Sequence, residues 1–177
     1  MTNQAIKHDI DLDLDLWRYM SIDKFALLMS RRRLWFARGD LLGDEHEGSM
    51  PNSIIDERRQ RLDDSRVEQV IESGSKAGRK YFFVSCWSMQ DPKLLSMWKI
   101  YTPNATGVAV KTTVRRLASC FASKLNDGVF NSCRFRIAKA SYINYAAHKA
   151  TPDAFDPFTH KQEAYYYEKE IRAILSY

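Results

Sequence analysis

The sequence predicts a single α+β domain whose sheet is mainly antiparallel and flanked by helices. Its 177 residues suit one domain with a sizeable hydrophobic core rather than two. Hydrophobic residues make up 45% of the chain and charged residues 28%, an ordinary globular composition that argues against general disorder. About six strand-like and five helix-like segments occur without a regular strand–helix alternation, which favours an antiparallel sheet over a parallel one.

The start of the chain is predicted to form an arm, residues 1–15, ahead of the domain at residues 16–177. Between residues 9 and 16 aspartate alternates with isoleucine or leucine, which fits an amphipathic edge strand or a disordered arm. This start is acidic where a signal peptide would be basic and then apolar, and no apolar run is long enough to span a bilayer. We therefore expect a cytoplasmic protein with no membrane partner.

Six segments are predicted as strands because they are rich in β-branched and aromatic residues or alternate between apolar and polar ones. They cover residues 16–20, 34–37, 81–87, 108–111, 134–145 and 168–175. The strongest signal is at residues 81–87, where aromatic and β-branched side chains are flanked by polar residues. This segment should lie in the centre of the sheet.

Five segments are predicted as helices from apolar periodicity and capping residues. They cover residues 22–29, 53–73, 92–101, 113–125 and 159–167. Ser21 and either Thr112 or Thr113 are suited to cap two of them, and Asp91 followed by proline begins a third. Loops are expected at residues 39–49 and 146–157.

The closing strand carries the most unusual charge pattern of the chain. Glu168, Glu170 and Arg172 share one side of it, while Ile171 and its apolar neighbours at 173 and 175 share the other. Two carboxylates on one strand face repel, which raises the pKa of one of them unless a cation or a hydrogen bond compensates. The alternative is a solvated strand face on which Arg172 is a local counter-ion.

Common catalytic and metal-binding signatures do not occur in the sequence. It has no glycine-rich dinucleotide or phosphate loop, no serine elbow and no paired-histidine zinc motif. The three cysteines lack the spacing of a zinc site or a disulfide framework, which fits a reducing compartment. Asp44, Glu45 and Glu47 could bind a divalent metal, so a metal-dependent nuclease stays an alternative.

Three separated groups of residues resemble the catalytic layout of the ADP-ribosyltransferase superfamily, an arginine, a Ser-x-Ser element and a Glu-x-Glu element in this order. Arg18 lies in the first predicted strand. Ser85 and Ser88 lie at the end of the central strand, and Glu168 and Glu170 lie in the last strand.

More locally, the chain is similar to an uncharacterised bacterial family, the domain of unknown function numbered 2971. The similarity rests on short segments that span nearly the whole chain. They are residues 17–21, 43–48, 84–88, 97–101 and 107–110, together with Lys161, Glu168, Glu170 and Arg172.

The resemblance implies the split sheet of ADP-ribosyltransferases and NAD as co-substrate. Breaking the nicotinamide–ribose bond develops positive charge on the ribose, and a carboxylate stabilises that charge mainly in the transition state. Glu170 would have this role, Glu168 would orient or deprotonate the acceptor, and Ser85 would hydrogen-bond the glutamate or the ribose. Arg18 would pair with the pyrophosphate. The cofactor site would also include Tyr19, Ser88, Trp87, Trp98 and Tyr101.

Each of these residues also has a structural explanation. Arg18 could pair with an N-terminal aspartate, and Ser85 could satisfy backbone groups at the end of its strand. Trp87, Trp98 and Tyr101 are residue types that more often belong to a core.

We therefore expect an NAD-dependent ADP-ribosyltransferase, a bacterial toxin or phage-defence effector with an antitoxin or chaperone as a possible partner. The net charge of +5 and the arginines at residues 31–33 favour nucleic acid as acceptor, RNA or DNA, and a protein acceptor stays open. The alternative from a different class is a non-catalytic module of the same fold that binds a nucleotide, nucleic acid or a protein.

Overall fold

The computed structural model describes residues 6, 9–44, 46–49, 56, 67–93, 95–102, 106–125, 133–148 and 153–177, without the side chains of 67–72 and 122–125. Most of the helix predicted at residues 53–73 lies outside the described residues. Its last part coincides with the start of the helix Val67–Gly78.

The main sheet has six strands in an antiparallel arrangement, which confirms the predicted α+β class. Its strands are β1 (Asp15–Ser21), β2 (Ala37–Arg38), β3 (Phe82–Ser88), β4 (Gly107–Thr113), β5 (Arg134–Lys139) and β8 (Glu170–Ser176). The order is β4-β1-β3-β8-β5, and β2 pairs with β3 outside this path. A smaller parallel sheet joins β6 (Ser141–Ile143) to β7 (His160–Gln162).

Strands β1 and β3 are joined only at one end. The register between them contains the single pair Trp17↔Ser88, whereas β1 pairs with β4 over its whole length. The start of β3 is bordered by β2 instead, through Ala37↔Val84 and Arg38↔Phe83. Over most of their length, β1 and β3 are therefore not hydrogen-bonded to each other, which leaves an opening in the sheet between them.

The described helices are Ile22–Arg31, Val67–Gly78, Leu95–Tyr101, Val114–Leu125 and Asp156–Thr159. The prediction that Asp91 and its following proline begin a helix is wrong, because Asp91 Oδ1 accepts from the Lys93 N–H in a turn and the helix begins at Leu95. Two other helices begin at predicted capping residues. Ser21 Oγ accepts a hydrogen bond from the Lys24 N–H, and Thr113 Oγ1 accepts one from the Arg116 N–H. Both satisfy amide groups that a helix leaves unpaired in its first turn, so these two predicted caps are confirmed. Among the described residues, no helix is long and apolar enough to cross a membrane.

The two faces of the sheet are covered by separate apolar clusters. One contains Leu16, Trp87 and Ile171 and packs against Val114 and Leu117 of the helix Val114–Leu125. The N-terminal segment joins this cluster through Ile10, which is buried. The other face carries a smaller cluster formed by Val84, Phe155, Phe158 and Ile174. Both faces of β8 are therefore buried.

The helix predicted at residues 159–167 does not form. The chain makes the short helix Asp156–Thr159, then β7, then a 3-10 helix at Glu163–Glu168. Pairing of β7 with β6 and burial of Lys161 among carboxylates override the local helical pattern. The strand predicted at 134–145 is divided at Ala140, whose N–H donates to the Glu170 carbonyl. The strand predicted at 34–37 is reduced to Ala37–Arg38.

Replacing Gly107 by alanine should destabilise the fold. A Cβ at this position would clash with Thr102 Cγ2 and would lie 2.8 Å from the carbonyl oxygen of Met20, a residue of the neighbouring strand. We expect the free energy of unfolding to fall by about 1–3 kcal/mol, as for other overpacked sites. Urea unfolding measures this loss. Gly43→Ala is the control, since nothing lies within 4 Å of a Cβ there, and an equal loss in both variants would contradict the account.

Candidate functional site

The end of the chain forms a buried cluster of charged side chains at the start of β8. The strand begins at Glu170, and Lys169 before it adopts a left-handed conformation with φ 42°. Glu168 therefore belongs to the preceding 3-10 helix, and the prediction that the strand starts at Glu168 is wrong. The turn nevertheless brings the two carboxylates together, because both contact the same lysine.

Lys161, on β7, connects three carboxylates. Its Nζ lies 2.6 Å from Glu168 Oε2, 3.2 Å from Glu170 Oε1 and 3.7 Å from Glu47 Oε1. The ammonium group is buried with its partners. Burial alone would lower the pKa of Lys161, but the charges of Glu170, Glu168 and Glu47 outweigh it and raise that pKa, so the lysine stays cationic.

Arg172 is the second cation of the cluster and is completely buried. Its Nε donates to Glu170 Oε2 at 2.8 Å, and its Nη2 forms a short ion pair with Glu47. Its Nη1 donates to the carbonyl oxygens of Phe158 and His160. All sides of the guanidinium are thus occupied, and the solvated strand face considered from the sequence is wrong for Glu168, Glu170 and Arg172, which are 3%, 3% and 0% exposed.

Among the described residues, the cluster has three carboxylates and two cations. The pKa values of Glu168 and Glu170 are displaced in opposite directions. Burial, a hydrogen bond to Glu170 and the charge of Glu170 raise the pKa of Glu168 to about 7. Burial acts in the same direction on Glu170, but Arg172 and Lys161 outweigh it, so the pKa of Glu170 is lowered. One carboxylate therefore exchanges a proton near neutral pH while the other stays ionised.

Aromatic side chains separate Glu168 from solvent. The Tyr101 hydroxyl donates to Glu168 Oε2 at 3.1 Å, and this tyrosine is 38% exposed. The Tyr19 ring packs edge-on to Trp98, with centroids 5.1 Å apart, and lies stacked 6.3 Å from Tyr101. We call Tyr19, Trp98 and Tyr101 the aromatic rim. Tyr101 is the exposed member of this group, Trp98 is half-buried and Tyr19 is buried.

Ser88 holds the turn that carries the glutamates. Its hydroxyl donates to the backbone carbonyl of Glu168 at 2.9 Å and accepts from the Gln90 N–H. The Glu170 N–H donates to the Tyr142 hydroxyl at 2.8 Å, which fixes the start of β8. Both serine and tyrosine therefore position the carboxylates through the backbone.

Arg18, Ser85 and Trp87 lie on the opposite face of the sheet. Ser88 pairs with Glu170 across β3 and β8, whereas Ser85 pairs with Ala173, three residues further along, so their side chains point to opposite faces. Arg18 Nη1 donates to Ser85 Oγ at 2.8 Å, and Trp87 Nε1 donates to the same oxygen at 3.1 Å. The expectation that Ser85 contacts a catalytic glutamate is therefore wrong.

The predicted site residues thus form two groups. Glu168, Glu170 and Ser88 lie together with the aromatic rim, while Arg18, Ser85 and Trp87 form a separate group whose arginine also donates to the Trp35 carbonyl. The structure gives Arg18 neutral partners, not the N-terminal aspartates considered from the sequence. Its place on the other face removes it from the glutamate site.

Glu47 is the site residue that sequence reasoning assigned to a different kind of site. The sequence suggests Glu47 as a metal ligand with Asp44 and Glu45, but its carboxylate pairs with Arg172 and Lys161. Glu45 lies outside the described residues. Within the described part of the chain, no group of three or more His, Cys, Asp or Glu side chains could hold a metal ion.

Comparisons of the chain with protein-family models, with curated proteins and with solved structures found no match. The resemblance to ADP-ribosyltransferases and to the family numbered 2971 therefore stays a prediction. The function of the chain has to be inferred from the geometry and chemistry of the site itself.

Stability should fall between pH 4.5 and about 7 because of Glu168. Its pKa is higher in the folded chain than the ordinary value of 4.5, so the folded state binds a proton that the unfolded state has already lost. The stabilisation by Glu168 is complete below its ordinary pKa of 4.5. It disappears as the pH rises through the pKa of about 7 that Glu168 has in the folded chain. Glu168→Gln imitates the protonated side chain, so it should gain stability relative to wild type across this range.

Urea unfolding of both proteins at several pH values measures this difference. Glu168 has the same neighbours in both proteins, namely Lys161, Glu170 and Tyr101. The titrations of these neighbours therefore largely cancel in the difference between the two unfolding free energies. A stability difference that is constant from pH 4.5 to 7.5 would show that Glu168 does not carry a raised pKa.

Proposed function

We propose that the glutamate pair and the aromatic rim form the active site of an NAD-dependent ADP-ribosyltransferase. One observation carries the proposal: two adjacent carboxylates have pKa values displaced in opposite directions, beside a partly exposed tyrosine. Paired titratable groups whose environments separate their pKa values are typical of acid–base sites. The finer assignment of the fold to ADP-ribosyltransferases belongs to this proposal and is supported by the opening between β1 and β3.

The proposal gives Glu168 the proton-transfer step. The bond between ribose C1′ and nicotinamide breaks, with its electron pair leaving on nicotinamide, and a new bond forms from C1′ to the acceptor atom. The acceptor proton passes to the ionised carboxylate of Glu168. A base with a pKa of about 7 is suited to this step near neutral pH, because a substantial fraction is ionised and still basic.

Glu170 takes a positioning role that differs from the one predicted from the sequence. Both of its carboxylate oxygens are occupied, Oε1 by Lys161 and Oε2 by Arg172. A carboxylate neutralised by two cations stabilises a ribosyl cation less well than an uncompensated one. Glu170 instead orients Glu168. Because its pKa is lowered, Glu170 stays ionised. Its negative charge helps to raise the pKa of Glu168, which therefore keeps its proton below neutral pH.

The aromatic rim supplies flat surfaces for the nicotinamide or for an acceptor base. Tyr101 reaches Glu168 directly and Trp98 is half-buried, while the buried Tyr19 ring packs against both of them. Lys169 is exposed at the turn between the two glutamates, and in this proposal it replaces Arg18 as the cation for the pyrophosphate. The net charge of +5 favours a nucleic-acid acceptor, as for a toxin or phage-defence effector held in check by an antitoxin or chaperone.

A second candidate is a non-catalytic binding module in which the charged cluster is purely structural. The occupation of both Glu170 oxygens and the near-complete burial of Glu168 favour it. The metal-dependent nuclease is less well supported, because Glu47 is engaged by two cations.

Thermal unfolding with separate ligands distinguishes these functions. A ligand that binds only the folded state stabilises it by mass action, by about 2.7 kcal/mol at a concentration one hundred times its Kd. The transferase should show a higher melting temperature with NAD, and the binding module should respond to RNA but not to NAD. A response to Mg²⁺ or Mn²⁺ alone would favour the nuclease. No shift with NAD would contradict the proposed function.

A further inference from the structure

An exposed group of basic and aromatic side chains lies where the first helix leads into β2. The helix Ile22–Arg31 is followed by Arg32 in a left-handed conformation, and residues 33–36 connect it to β2. Arg31, Arg32, Arg33 and Trp35 are all exposed. We call these four residues the basic surface. None of them has a part in the proposed transferase site.

The backbone holds Trp35 in an exposed position. Its neighbours Leu34 and Phe36 pack against the larger apolar cluster of the core. Its carbonyl oxygen accepts from Arg18 Nη2 at 2.9 Å, and Nη1 of the same guanidinium donates to Ser85. At 74%, Trp35 is more exposed than any other large apolar side chain in the described part of the chain. The indole is therefore open to a partner, on a backbone that three neighbouring side chains keep in place.

The arginines of the basic surface are not neutralised by carboxylates of the described residues. Residues 24–39 contain five basic side chains and no Asp or Glu. In the described part of the chain, the guanidinium groups of residues 31–33 form no ion pair, whereas the exposed Arg115 pairs with Asp13. Adjacent like charges raise the local potential, which attracts an anionic partner.

The combination of cations with an exposed ring fits a single strand of nucleic acid. Arginines bind the phosphates along such a strand, and an aromatic side chain stacks on an unpaired base. In a duplex, neighbouring base pairs cover the faces of the bases, so a surface indole has no base face to stack on. We propose that the basic surface binds single-stranded RNA or DNA, with residues 31–33 on phosphates and Trp35 on a base.

The exposed apolar residues of the helix argue against a lipid surface as the partner. A helix that lies in a membrane interface presents its apolar residues on one face. At about 100° per residue, Met29 lies about 20° from Ile22, whereas Leu27 lies about 140° from Ile22. All three are exposed. They therefore do not form one apolar stripe that a membrane could cover.

The inference names the partner class of the proposed transferase, and it rests on that proposal only for its part in catalysis. Arg18, which holds the Trp35 backbone, lies on the face of the sheet opposite Glu168 and Glu170. The basic surface is thus a docking site apart from the glutamates. Its binding is measured without NAD, so a failure of this inference and a failure of the proposed function are separate results.

Fluorescence anisotropy of labelled oligo(U) and oligo(dT), each about 12 nucleotides long, tests the proposal by titration with the full chain at several salt concentrations. We expect saturable binding, with log K falling by about 2 per unit of log salt concentration for three phosphate contacts. Trp35→Ala should weaken binding by about 5- to 150-fold, the range for one stacked base, and leave the salt slope unchanged. Arg33→Gln should weaken binding and reduce the slope by about 0.7.

Arg115→Gln and Leu41→Ala are the matched controls. The first removes the same charge from an exposed arginine on another helix, and the second truncates an apolar side chain that is 68% exposed. Both should bind the oligonucleotides as wild type does. All four variants change exposed side chains, so each should keep the wild-type melting temperature.

Three results would overturn the proposal. The first is no saturable binding of either oligonucleotide at about 100 μM protein, including the case in which only vesicles of anionic phospholipid bind. The second is equally tight binding of a duplex of the same length. The third is binding that Trp35→Ala and Arg33→Gln leave unchanged.

Discussion

Arg172→Met is expected to lower the free energy of unfolding by about 3–5 kcal/mol, the usual cost of breaking a buried ion pair from one side. Methionine occupies a similar volume but leaves Glu47 and Glu170 buried, with Lys161 as the one remaining cation that the described part of the chain places beside them. The carbonyl oxygens of Phe158 and His160 also lose their donor. Chemical denaturation at pH 7 measures the loss.

Arg115→Met is the matched control for this experiment. Arg115 also forms an ion pair, with Asp13 at 2.9 Å, but the two side chains are 56% and 72% exposed. Exposed pairs contribute little to stability, so this variant should unfold close to wild type. Similar losses in the two variants would show that burial of Arg172 is not what makes its ion pairs important.

Glu168→Gln is expected to lower the rate of NAD cleavage by about 10²–10⁴-fold, the range for loss of a general acid–base group. The amide can still accept from Lys161 and Tyr101 and can donate to Glu170, as the protonated glutamic acid does. Because the pKa of Glu168 is about 7, the variant should fold normally at neutral pH. Activity and stability are thus separated at this position.

Two comparisons complete that experiment, which is read out as nicotinamide formed per enzyme per minute. Asp23→Asn makes the same change of carboxylate to amide at an exposed position of the first helix and should keep full activity. Glu170→Gln should lose stability as well as activity, because Arg172 and Lys161 both lose a charged partner. Equal rates for wild type and Glu168→Gln would remove Glu168 from the mechanism.

Local features of the fold could be predicted because they depend on neighbouring residues. The caps at Ser21 and Thr113 and the central strand at Phe82–Ser88 follow from side-chain chemistry and propensity within a few residues. The burial of Ile171 and Ala173 follows from alternation along β8. The proximity of Glu168 and Glu170 was also predicted, although a left-handed turn achieves it.

The partners of the glutamates could not be predicted because they come from distant parts of the chain. Glu47 meets Arg172 across 125 positions. The local pattern predicts a helix at Lys161, whereas the pairing of β7 with β6 directs this lysine into the cluster. Alternation alone could have separated Ser85 from Ser88, since residues three apart on a strand face opposite sides. The register between β3 and β8 decides whether Ser85 or Ser88 lies beside Glu170.

Release of nicotinamide from NAD by the purified wild-type chain is the measurement that tests the proposed function most directly. It should be followed at pH 7, with and without total RNA, beside Glu168→Gln. We predict release by wild type and loss of release in the variant, and a dependence on RNA would identify the acceptor class. A folded wild-type chain that releases no nicotinamide with RNA, DNA or protein as acceptor would contradict the transferase and favour the binding module.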